Sequence, residues 1–229
     1  MIKMFITIIA MSLLLVGQAS TANALNLLVN GSFESPGAPA ASFLTQIPNG
    51  WTSLGNGSTV DIIAAGYAGG SASDGNQLVD LIGGGVGTFP SGLKQTVTLQ
   101  GGTMYSLSFD YNGGRYQDGT PTSGAVLDYL LGSLVSGSVN VDALNAFASN
   151  GPVTPWQSMS LVFTVATTND YLLTFQTLSG AFGGPYIDDV RLNVIPVNVP
   201  EPSTLMLLVV GLAGLAVVRL RETDEPMSV

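Results

Sequence analysis

Tyr105, Leu107, Phe109 and Tyr111 alternate with Ser106, Ser108 and Asp110. A period of two puts the aromatic and aliphatic side chains on one face of a strand and the polar ones on the other. The same alternation returns at Met159, Leu161, Phe163 and Val165, and again at Tyr171, Leu173 and Phe175. Shorter β-type runs at 25–29, 60–63, 74–81, 92–99, 125–131 and 186–194 are punctuated by Gly, Asn and Pro, the residues that turns require. Such regular short strands, with hardly any helical period among them, predict an all-β antiparallel sandwich. The spacing predicts a hairpin in which Thr167-Thr168-Asn169-Asp170 joins the last two alternating strands. The stretch 141–148 reads equally as a short helix or a loop.

Composition narrows how this sandwich is held together. The chain has 229 residues, no Cys, no His, 29 Gly and only 9% charged residues. Disulfides, thiolate metal sites and imidazole chemistry are therefore excluded, and stability rests on an ordinary apolar core. The formal charge of -9 repels the phosphate backbone that supplies most nucleic-acid affinity. Nucleic acid is not an expected partner.

Both ends depart from the pattern. Lys3 precedes an apolar run, 4–16, and Ala22-Asn23-Ala24 offers small residues where signal peptidase cuts, so 1–24 reads as a signal peptide. At the other end Pro200-Glu201-Pro202-Ser203-Thr204 leads into an apolar run, 205–218, stopped by Arg219 and Arg221. Extended back to Ser203 this run makes a helix of about 24 Å, short against a bilayer core of about 30 Å. The two arginines can snorkel to the headgroups and hold that end in the cytoplasm. The expected organisation is thus a signal peptide at 1–24, a β-sandwich ectodomain at 25–196, a linker with its sorting motif at 197–204, a transmembrane helix at 205–218 and a basic stop with an acidic tail at 219–229.

This C-terminal order of motif, apolar helix and basic stop resembles the PEP-CTERM signal of bacterial envelope proteins. The resemblance implies handling by an exosortase. It also implies inner-membrane anchoring before processing, then display on the envelope or release outside the cell. The acidic residues after Arg221 depart from the usual pattern, in which such signals stop at the basic cluster.

A second resemblance is spread over the ectodomain. Asn30-Gly31-Ser32-Phe33-Glu34, Pro48-Asn49-Gly50-Trp51, Asp74-Gly75, Leu78-Val79-Asp80-Leu81, Trp156 and Tyr186-Ile187-Asp188-Asp189-Val190 are similar to galactose-binding-like jelly-roll domains, carbohydrate-binding modules among them. The resemblance implies a jelly-roll sandwich. It also implies a structural calcium between Glu34 and Asp188 or Asp189, for which hard carboxylate oxygens are suited. Because neighbouring strand residues face opposite sides, only one of the two aspartates is expected to share a face with its sheet neighbours, and Asp189 is the expected one.

A sugar presents an apolar C–H face to an aromatic ring and hydroxyls to polar groups. The expected ligand-binding residues are Trp51, Tyr186 and the Gly-rich loop residues Arg115, Tyr116 and Asp118, with Tyr67 a further aromatic candidate. Trp51 and Trp156 also suit a core. Catalysis has thinner support. Asp61, Asp74, Asp80, Asp110 and Asp128 could supply a carboxylate pair for glycan hydrolysis, but no spacing singles out two of them. Serine nucleophiles lack a histidine, and no Ser-x-x-Lys pattern surrounds Lys94. The expectation is a non-catalytic surface protein that binds exopolysaccharide or has a structural or adhesive role; the alternative is a carboxylate-dependent glycan hydrolase or lyase.

Overall fold

The computed structural model describes residues 25–55, 59–83, 89–114, 125–179, 184–196 and 210–215. Among them are eleven strands: β1 (Phe43–Thr45), β2 (Thr52–Ser53), β3 (Asp61–Ala64), β4 (Gln77–Asp80), β5 (Ser91–Leu99), β6 (Met104–Asn112), β7 (Val126–Leu131), β8 (Val135–Asn140), β9 (Gln157–Thr164), β10 (Asn169–Thr177) and β11 (Tyr186–Val194). They form a six-stranded sheet in the order β1-β3-β4-β11-β6-β9 and a five-stranded sheet in the order β2-β5-β10-β7-β8. Every paired neighbour is antiparallel. The fold is an all-β antiparallel sandwich, and its compact unit is Ala24–Pro196.

Alternation within each strand builds the core. Tyr105, Leu107 and Phe109 of β6 are buried, as are Leu127, Tyr129 and Leu131 of β7 and Leu173 and Phe175 of β10. Phe109 meets Phe175 edge-on at 4.9 Å between ring centres and Tyr129 at 5.2 Å, which ties the two sheets together with the tilted ring geometry that aromatic quadrupoles favour. A second, smaller cluster of Ile63, Leu78, Ala146, Phe147 and Tyr186 lies apart from this core, with Tyr67, Ala68 and Trp156 packed partly buried against it.

Three local expectations change. β9 and β10 do not form a hairpin: β9 pairs with β6 in one sheet and β10 with β5 and β7 in the other. Their alternation was the right period, but two inward faces of a sandwich share that period, so it does not say which sheet a strand joins. Residues 25–29 form no regular strand; instead the Leu27 N–H donates to the Leu192 carbonyl at 2.9 Å, and Asn26 bonds both Val190 and Leu192 through its side chain. The 141–148 stretch is loop, followed by a 3-10 turn at Ala148–Asn150. The structure also adds β8, whose inward positions are Val135, Gly137 and Val139. Gly137 stands opposite Tyr129, where a Cβ would overlap the phenol oxygen, so the glycine that hides this strand in the sequence is what lets it pack.

At the C-terminal end, residues 210–215 are helical and exposed. Among the described residues no helix is long and apolar enough to cross a membrane. The signal peptide, Pro200, Glu201 and Pro202 of the sorting motif, and Arg219 and Arg221 lie outside the described residues.

Candidate functional site

The site begins with an irregularity in β11. Asp188 pairs with Asp110 of β6, yet the next registered pair is Arg191 with Ser108, so the bulge places one extra residue on β11. Asp189 takes the strain at φ 48°, a backbone conformation that Asp tolerates better than most residues. The extra residue undoes strict alternation: Asp188 and Asp189 both lie on the outer side of the six-stranded sheet, and Val190 returns to the core. The expectation that only one aspartate shares that side is corrected for this reason.

Gly31 holds the bulge in place. The Val190 N–H donates to the Gly31 carbonyl at 2.9 Å, and a Cβ on Gly31 would overlap the Val190 carbonyl oxygen. The opening Asn-Gly-Ser-Phe-Glu stretch and the closing Ile-Asp-Asp-Val stretch are thus one structural unit, although 159 positions separate Gly31 from Val190 in the numbering.

Two carboxylates then clasp the loop that covers the bulge. Asp188 Oδ2 accepts the amides of Ser73 (2.8 Å) and Asp74 (2.9 Å), and its Oδ1 accepts that of Asp189 (2.7 Å). Glu34 Oε1 accepts the amides of Asn76 (2.7 Å) and Gln77 (2.9 Å). Gly75, between them, has φ 62° and presses so closely on Glu34 that no side chain fits. Asp188 is fully enclosed; burial pushes its carboxyl up to about 7 despite the three amides that favour the ionised form.

Around this clasp the outer face is polar and accessible. Asp110 accepts hydroxyl hydrogen bonds from Ser73 and, at 2.6 Å, from Ser158. Asp189 pairs with Arg191 Nε at 2.5 Å, and Asp74 lies 3.9 Å from the same guanidinium. Burial raises the Asp189 carboxyl while Arg191 pulls it down, and the bond to Asp189 raises Arg191 in turn. The Arg191 and Asp74 side chains remain 48% and 46% exposed.

On the same face the half-buried ring of Trp156 packs against the small cluster, and its Nε1 donates to the Ser71 carbonyl at 3.0 Å, two residues ahead of Ser73. Tyr67 packs against the same cluster, edge-on to Phe147 at 5.9 Å and to the exposed Phe43 at 5.6 Å. The outer face therefore carries part-open rings as well as carboxylate, hydroxyl and guanidinium groups. Rings suit the apolar face of a sugar and polar groups suit its hydroxyls.

The expected ligand-binding residues fare differently. Trp51 is buried, stacked near Phe33 and Phe175, and its Nε1 donates to the Asn30 carbonyl at 3.1 Å. Tyr186 is buried against Phe147, and burial raises its phenol far above the ordinary value. Neither offers a ring to solvent, so both are corrected from ligand-binding to packing residues. Arg115, Tyr116 and Asp118 lie outside the described residues. Trp156 is the residue that sequence reasoning placed in the core and the structure leaves half open. Its position one residue ahead of the edge strand β9 was the available signal.

For a cation, the structure brings Glu34 and Asp188 to the same loop, where backbone amides engage both oxygens of Asp188 and Oε1 of Glu34. Among the described residues no group of three or more acidic side chains is arranged to hold a metal ion. Elsewhere on the same sheet Asp61 and Asp80 stand directly opposite each other on β3 and β4. Burial, reinforced by the neighbouring Asp61 charge, raises Asp80 to about 7, and the Ile82 amide partly offsets this. Both are nearly enclosed.

Comparison with known proteins adds two findings. Residues 198–221 match the PEP-CTERM protein-sorting motif. The chain carries an exosortase-type sorting signal. Such a signal implies export to the envelope and sorting by an exosortase. No curated protein matches this chain. Among solved structures, a cyclase from Fischerella sp. TAU is similar at a TM-score of 0.54 and 20% identity, over 77% of this chain and 100% of its own. Lower scores relate this chain to a family 16 carbohydrate-binding module (TM-score 0.47, 20% identity, 73% of this chain and 99% of that one). TmCBM61 in complex with beta-1,4-galactotriose follows (TM-score 0.45, 18% identity, 75% and 100%). At these identities the likeness is one of fold, and a shared sandwich does not fix a shared chemistry.

Proposed function

We propose that this exported protein binds polysaccharide, without cleaving it, on the outer face of its six-stranded sheet. One observation carries the reading: the outer face that bears the part-open rings of Trp156 and Tyr67 also bears Asp74, Asp110, Ser158 and Arg191. The charge of this face refines the ligand. Asp74, Asp110 and Asp189 lie around the guanidinium of Arg191, so a uronate or sulfated glycan meets a surplus of negative charge. Neutral sugars and amino sugars fit it.

The non-catalytic part of the proposal rests on access. A glycosidase acid must reach the leaving oxygen. Asp188, which burial keeps largely protonated up to near neutrality, is enclosed and engaged with three amides. Display at the surface follows from the two ends of the chain: a signal peptide at 1–24 starts export, and the 205–218 helix holds the protein in the inner membrane until the sorting motif is processed.

The test is a glycan array followed by product analysis of every glycan retained. Retention of neutral or amino-sugar polymers with no new reducing ends supports the proposal. Reducing ends that vanish in Asp110→Asn would replace it with the hydrolase reading, and no retention at all would refute binding.

A further inference from the structure

β9 is the terminal strand of the six-stranded sheet, and among the described residues no strand pairs with its other edge. Natural edges are guarded by charge, proline, bulges or short length. β9 has none of these guards: Gln157-Ser158-Met159-Ser160-Leu161-Val162-Phe163-Thr164 is uncharged, lacks Pro and Gly, and keeps eight consecutive registered pairs with β6. The sheet's opposite edge, β1, has three residues, and the edges of the second sheet, β2 and β8, have two and six.

The side chains of β9 are equally unfinished. Met159, Leu161 and Phe163 point to the core and pack against it, yet all three stay partly exposed, and among the described residues no strand flanks them. On the outer side Val162 is 62% exposed, between Ser160 and Thr164. In a chain of net charge -9, this neutral edge is a place where two copies can approach without like-charge repulsion.

We infer that β9 is a self-association edge, on which a second copy of this chain pairs antiparallel about a two-fold axis at Leu161. Antiparallel partners must share a side of the sheet, so the axis passes through a residue. Centring on Leu161 sets Leu161 against its own copy, Met159 against Phe163, Ser160 against Val162 and Ser158 against Thr164. Every partly exposed apolar side chain of the inner row then gains an apolar neighbour, and both sheets continue as one. An axis at Ser160 would instead set Phe163 against the amide of Gln157. The interface is isologous, so it closes at two copies.

Because the natural chain has no Cys, introduced thiols report this geometry directly. The full chain carrying Ser160→Cys with Val162→Cys is oxidised in cell membranes and run on a non-reducing gel, beside Thr96→Cys with Thr98→Cys on the interior strand β5. The expected result is a covalent dimer for the β9 pair and a monomer for the β5 pair. A monomer at β9, or a ladder of higher species, overturns the two-fold pairing. In the cysteine-free chain, Ser160→Lys with Val162→Lys is expected to shift the sedimenting species from dimer to monomer while the circular dichroism spectrum is retained. A dimer that survives both lysines also overturns it.

Discussion

A tryptophan's neighbours decide whether it stabilises the protein or binds a ligand, and the two tryptophans here divide on that point. Trp51 fills the core between Phe33 and Phe175, so Trp51→Ala is expected to cost about 3–5 kcal/mol in denaturant unfolding. Trp156 is half open, so Trp156→Ala is expected to cost less stability and to remove glycan retention. Gly31 is a stricter case. Its missing Cβ makes room for the Val190 carbonyl, and Gly31→Ala is expected to lower stability by about 1–3 kcal/mol, the usual cost of forcing extra atoms into a packed site. It should also weaken binding, because the bulge it supports aims Asp189 and Arg191. None of this was legible in residue type alone. Trp, Gly and Asp were identified as important positions, but burial separates Trp51 from Trp156, and only pairing register reveals that an inserted residue puts Asp188 and Asp189 on one side.

Among the elements, the clasped loop at 71–77 and the buried strand carboxylates carry the pH response. Asp80 and Asp188 sit near 7 in the folded chain against an ordinary 3.8. Between about pH 4 and pH 7 the folded state therefore holds protons that the unfolded chain has released, and stability falls as pH rises through that window. Each group contributes at most about 4 kcal/mol to the fall. Melting temperatures measured from pH 4 to pH 8 should decline, and Asp80→Asn should flatten the decline; a rise would contradict it. The clasp itself is tested by Glu34→Ala. Loss of the acceptor for two amides should speed hydrogen exchange at Asn76 and Gln77 and cost about 1–2 kcal/mol. With amides on both oxygens of Asp188 and on Oε1 of Glu34, a chelator is expected to leave the melting temperature unchanged; a drop would support the calcium that the jelly-roll resemblance implies. At this scale the sequence read well where alternation was strong, as in β6. It read poorly where a strand was short or broken by glycine, as in β1 and β8, and it could not assign β9 and β10 to different sheets.

At the scale of the whole molecule, the sandwich and the sorting motif answer separate questions. The motif at 198–221 addresses the protein to the envelope, and the outer face of the six-stranded sheet is where we propose that it holds polysaccharide. Mass spectrometry of the exported protein is expected to find Leu25 at the new N-terminus and a C-terminus near Pro200-Glu201-Pro202; an intact 205–218 segment would mean that the chain stays anchored. The most direct measurement of the central claim is affinity electrophoresis of the full chain through gels containing neutral polysaccharide, with Trp156→Ala alongside. The account predicts that the wild-type protein is retarded and that the variant, folded by circular dichroism, runs as if the polysaccharide were absent. Equal retardation of both would contradict it.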